Sequence, residues 1–186
     1  MKPVALTHRF AATDRHQRGA SLLEGIAYLG IAAIVILGAV SLLTGAFSSA
    51  QSNRLGEEVV SIRTGVKKLY MGQAASYVAG SLNPVLVNAQ VLPATLSVTL
   101  GGGGGGALTV NNAWGGTVDI TGATATFTIT YTLVPREVCI GGLSGASGWQ
   151  NITVNAGTAI TEFPVGPAAA NTACGAATNT IVWTSH

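Results

Sequence analysis

Between Arg18 and Glu24 the chain reads Arg-Gly-Ala-Ser-Leu-Leu-Glu, and two positions in it bear on chemistry. Glu24 heads a stretch, Gly25 to Asn53, that contains no charged residue. An ionised carboxylate in such surroundings is costly unless a cation lies beside it. Hydrolysis of the Gly19–Ala20 bond would supply that cation, because the freed α-amine of Ala20 is protonated at neutral pH. Glycine at position 19 gives a protease backbone access with no side chain to clear. The Ala20 amine of one copy and the Glu24 carboxylate of another, shifted along the axis, would neutralise each other and set the register of an assembly.

Other chemistries lack their parts. His8 and His16 precede the cut and His186 is the last residue, so the body of the chain has no histidine. Beyond Gly80 the acids are Asp119, Glu137 and Glu162, at no metal-binding or catalytic spacing. The Gly101–Gly106 run lacks the Lys and Ser/Thr of a phosphate-binding loop and reads as a flexible surface loop. Asn151-Ile-Thr153 fits the glycosylation pattern and is read as chance. No catalytic residue, metal site or cofactor is expected.

Charge excludes a further class. The net charge of the 186 residues is +2, yet Lys2, Arg9, Arg15 and Arg18 face only Asp14 before the cut. The remainder carries five basic residues against six acidic ones, which gives no case for direct nucleic-acid binding.

The elements that position Glu24 follow from hydropathy. Only 9% of residues are charged and 48% are apolar, and the run from Ile26 to Leu43 is long enough to cross a bilayer, which takes about 20 residues. The basic segment abuts this run directly, without the small-residue site that follows the apolar region of a secretory signal. Its positive charge holds residues 1–19 on the cytoplasmic side, so processing belongs to that face. Leu55, Val59, Ile62, Val66 and Leu69 then recur in steps of four and three, with Glu57, Glu58, Arg63, Lys67 and Lys68 between them as the polar side, which predicts an amphipathic continuation of the helix to about Val78. No proline interrupts residues 20–79, and one rod over that length would approach ~90 Å. Gly38 and Gly45 are the candidate weak points.

After Gly80 the composition turns to Thr, Val, Gly, Ala and Asn. Thr117–Thr121 and Ala125–Leu133 alternate with period two around Gly122-Ala, predicting a hairpin, and Asn151–Val154 and Thr180–Trp183 are further strands. Pro135–Gly142 predicts a short helix with proline in its first turn, Glu137 at its positive end, Cys139 upon it and glycine as its stop. Cys139 and Cys174, in an exported chain, predict one disulfide contributing about 4 kcal/mol. Tyr28 reads as an interfacial or packing residue, and Trp114, Trp149 and Trp183 as core or subunit contacts.

Arg18-Gly19, a small residue and Glu24 at the head of a long apolar helix resemble the class III leader and mature N-terminus of type IV pilins. The segments Val66–Gln73, Val134–Cys139 and Asn179–Thr184, with Cys174, are similar to the type IVb S-pilins of thin pili linked to conjugative plasmids. The 19-residue leader also fits the longer leaders of that group. Many pilins carry a helix-kinking proline in the membrane segment, and none is present here.

The resemblance implies an α+β type IV pilin fold, a long N-terminal helix packed on an antiparallel β head. The expected organisation is a leader, 1–19; the membrane-spanning and filament-core half-helix, 20–53; its amphipathic half, 54–79; and the head, 80–186, with a disulfide-bounded region 139–174. It implies cleavage between Gly19 and Ala20 by a prepilin peptidase, N-methylation of Ala20, and assembly pairing by Glu24. The implied partners are further copies in a helical filament, the peptidase, and inner-membrane assembly machinery. The subunit would reside in the inner membrane and then in an extracellular pilus serving cell contact, adhesion or conjugation. Two alternatives stay open: a minor pilin or type II secretion pseudopilin, and a signal-anchored surface enzyme or binding protein.

Overall fold

The computed structural model describes residues 21–72, 77–100 and 108–186. The expected cut at Gly19 and Ala20 and the Gly101–Gly106 run lie outside the described residues. The chain forms two compact units, one ending at Leu43 and the other running from Thr44 to His186.

Helix α1 is Leu22–Leu69. In the first unit each described residue, 21–43, is exposed, although the stretch is almost wholly apolar. Among the described residues it provides one helix long and apolar enough to cross a membrane.

In the second unit, α1 obeys its predicted period. Leu55, Val59, Ile62 and Val66 are buried, and they belong to one core with the inner faces of a sheet. The helix ends sooner than its periodicity predicts, at Leu69 rather than near Val78. Gly72, at φ +99°, takes a backbone conformation open chiefly to glycine and so closes the helix. Tyr77 is then free to enter the core edge-on to Phe127, with ring centroids 4.9 Å apart.

The main sheet has strands β1 (Gly80–Ser81), β4 (Val118–Gly122), β5 (Phe127–Pro135), β7 (Thr178–Ser185) and β6 (Asn151–Val154), antiparallel in the order β1-β4-β5-β7-β6. A second, two-stranded sheet pairs β2 (Ser97–Leu100) with β3 (Leu108–Asn111). The predicted hairpin is β4–β5, in register Ile120↔Ile129. Its alternation buries Val118, Ile120, Phe127, Ile129 and Tyr131 and turns Asp119, Thr121, Thr128 and Thr130 outward. The predicted strands at Asn151 and Thr180 are β6 and β7.

Asparagine finishes the sheet where strand pairing stops. The first residue of α2 (Asn83–Asn88), Asn83, is buried; its amide donates to the Val118 carbonyl at 3.0 Å and accepts from the Ile120 N–H at 2.9 Å. It thereby satisfies β4 backbone beyond the two-residue strand β1.

Helix α3 (Arg136–Ser144) carries Cys139 as predicted, with two differences. Pro135 is its N-cap, and Gly141 and Gly142 lie inside the helix, which stops at Gly145. Their purpose is close approach, since a Cβ at Gly141 would collide with Ser52 and one at Gly142 would stand 2.9 Å from Leu55 Cδ2. Helix α4 (Pro167–Ala173) completes the second unit.

Candidate functional site

In the first unit, the residues of interest sit on the first turns of α1. Ser21 caps the helix: its Oγ accepts the Glu24 N–H at 3.3 Å. Ser21-Leu-Leu-Glu24 is the Ser-x-x-Glu pattern of a helix start, a signal present in the sequence itself. One turn on, Tyr28 donates its hydroxyl to Glu24 Oε1 at 3.4 Å. Tyr28 therefore serves the carboxylate as well as the surface. A single donor at that distance is weak satisfaction for a charged group.

In the second unit, a polar cluster ties α1 to its surroundings. Glu58, expected on the solvated side of the amphipathic helix, is buried. Arg54 donates from Nε to Glu58 Oε1 at 2.9 Å and from Nη2 to the Thr95 carbonyl at 3.0 Å. Tyr131, from β5, donates its hydroxyl to Glu58 Oε2 at 3.3 Å. Burial, reinforced by the Glu58 charge and hydrogen bond, pushes the Tyr131 phenol far above its ordinary pKa. The Arg54–Glu58 pair thus fastens α1 to β5 through the carboxylate and to the Thr95 segment through the guanidinium.

Other α1 side chains reach the rest of the head. Arg63 lies 4.7 Å from the centre of the Trp149 ring and donates from Nε to Ser185 Oγ at 3.1 Å. Trp149 and Trp183 are buried, as the core reading of the tryptophans expects, while half-buried Trp114 donates to Gln51 Oε1 at 2.8 Å. Burial, with Arg63 nearby, lowers the pKa of Lys67.

Cys139 and Cys174 form a disulfide with Cα atoms 6.0 Å apart and both residues buried. It joins α3 to the end of α4 and brackets β6. Among the described residues no three His, Cys, Asp or Glu side chains gather as a metal site.

The family profile described as PilS N terminal matches residues 49–186, nearly three quarters of the chain. The chain belongs to the PilS family of type IVb pilins. This pilin is similar to the crystal structure of a type IVb pilin from Salmonella typhi, at 26% identity and a TM-score of 0.57, over 69% of this chain and 97% of that one. The fold also resembles that of TcpA, a type IV pilin from Vibrio cholerae El Tor biotype, at 12% identity and a TM-score of 0.51, over 74% of this pilin and 99% of TcpA. No curated protein matches this pilin. A pilin is a structural protein that assembles from subunits into an extracellular pilus.

Proposed function

We propose that this pilin is the major structural subunit of a type IVb pilus serving cell contact, adhesion or conjugation. A prepilin peptidase at the inner membrane cuts after Gly19, and Ala20 becomes the N-methylated first residue. Assembly machinery then draws the subunit into the filament, where the helix from Ala20 to about Ala50 is buried among its copies. The Ala20 amine of one copy pairs with Glu24 of another.

The observation that carries this reading is the head of α1. Residues 21–43 expose an apolar surface interrupted by a single charge, Glu24, whose carboxylate receives only the long Tyr28 bond among the described residues. Lipid would cover the apolar surface in the monomer, and neighbouring helices would cover it in a filament. A cation from a neighbour is what the carboxylate lacks.

Cells expressing this chain with its assembly genes should yield sheared surface filaments composed of it. Glu24→Ala should be processed but assemble poorly, and Gly19 replaced by a bulky residue should leave uncut precursor in the membrane. If cells lack filaments while secreting normally, the chain is a pseudopilin instead.

A further inference from the structure

In the second unit, α1 carries two exposed charges, Glu57 and Lys68, that have neither an ion pair nor a side-chain hydrogen bond among the described residues. In a chain with so few charges, such a pair is notable for its placement. Eleven residues apart, the two lie about 20° from each other around the helix and roughly 16 Å along it, so they occupy one stripe. Half-exposed Val60 lies on the same side between them.

Beside Glu57 a cleft of about 260 Å³ opens between α1 and α3. Gly56 and Val60 line one wall, Gly141 and Gly145 the other, and Trp149 also contributes. A Cβ placed on Gly56 would meet no atom within 4 Å, so the cleft is open at that point. An apolar trough with a carboxylate at its edge suits a side chain with a long methylene stem and a cationic head.

We propose that this cleft receives Lys68 of a second copy of the chain, displaced by about three helical turns, with the lysine stem over Gly56 and Val60 and its ammonium on Glu57. Lys68 is the cation that fits. Lys67 is half-buried beside Arg63, and Arg136 already donates to Asn171 Oδ1 at 3.1 Å. The contact rests on the polymerisation proposed above and adds a second register point to it. The Ala20–Glu24 pair spans four residues, about 6 Å, so the two contacts engage neighbours at different axial offsets.

Charge exchange in the full chain, in cells that assemble the filament, tests the contact. Glu57→Lys and Lys68→Glu should each lower sheared pili about tenfold, equivalent to ~1.4 kcal/mol per contact, with unchanged subunit levels in the membrane. The double exchange should restore assembly. Gly56→Leu, which fills the cleft at a position with free space, should also lose pili. Wild-type assembly by either single exchange, or a double exchange as defective as the singles, would overturn the contact. Rescue of Glu57→Lys by Arg136→Glu instead of Lys68→Glu would overturn the choice of cation. Absence of filaments from the unaltered chain would instead remove the polymerisation itself, and this contact with it.

Discussion

Tyr131 on β5 and Glu58 on α1 meet inside the head, the phenol donating to a carboxylate that Arg54 grips from the other side. The pair converts a helix lying along a sheet into a helix fixed in register with it. Burial of Leu55, Val59 and Ile62 drives the two together, and the polar contact selects one alignment among those that apolar packing alone would permit.

Tyr131 makes head stability sensitive to alkali. Its folded pKa is raised well above the ordinary phenol value, so below about pH 10 the proton is held in both folded and unfolded chains. Above that pH the unfolded chain releases it and the folded head does not, and stability falls by up to ~1.4 kcal/mol per pH unit. Urea unfolding followed by tryptophan fluorescence should show this slope, and Tyr131→Phe should flatten it while lowering stability near neutrality by about 1–3 kcal/mol.

Arg54→Ala should loosen a segment it does not neighbour in sequence. Losing the bond to Glu58 and the bond to the Thr95 carbonyl should cost about 1–3 kcal/mol in total, toward the low end because the guanidinium is partly solvated. Hydrogen exchange should rise selectively around Pro93–Leu96. Unchanged exchange there would remove Arg54 as the tie.

Two glycines should respond in opposite ways to alanine. A Cβ at Gly122 would run into the Val78 carbonyl, a backbone atom that cannot rotate aside, so Gly122→Ala should destabilise the head by roughly 1–3 kcal/mol. Gly56, with open space around it and helix on both sides, should gain up to ~1 kcal/mol from alanine. Thermal unfolding of the two variants side by side measures the contrast.

Removing the disulfide with Cys139→Ser and Cys174→Ser together should cost about 2–4 kcal/mol. The loss should appear as protease sensitivity within residues 139–174, while the β4–β5 hairpin stays protected.

Much of the fold could be read from residue patterns because it rests on strong periodicity. The four-and-three spacing of Leu55 to Val66 and the alternation through Ile120 and Ile129 each reach far enough to outweigh local noise. The end of α1 was misplaced because Gly72 resembles the helical glycines before it until its backbone angle is known. Strands β2 and β3 escape notice for another reason: they alternate, as Ser-Val-Thr-Leu and Leu-Thr-Val-Asn, but over only four residues each, too short a run for the pattern to stand out. Helices α2 and α4 did have a signal, Pro84 and Pro167 in their first turns, and it went unread. Helix period alone places Glu58 toward solvent, because its burial depends on donors that period cannot show, the Tyr131 hydroxyl from β5 and the partly solvated Arg54. Glu24 stands out by its isolation in an apolar run and Ser21 by the Ser-x-x-Glu pattern of a helix start, whereas the bond from Tyr28 to that carboxylate emerges only in the structure.

The claim that binds these parts is that one cut creates the cation Glu24 requires. Mass spectrometry of the N-terminal peptide of this pilin, taken from sheared surface filaments, tests it most directly. A peptide beginning at methylated Ala20 is the predicted result. Filaments built from subunits that still begin at Met1 would contradict it.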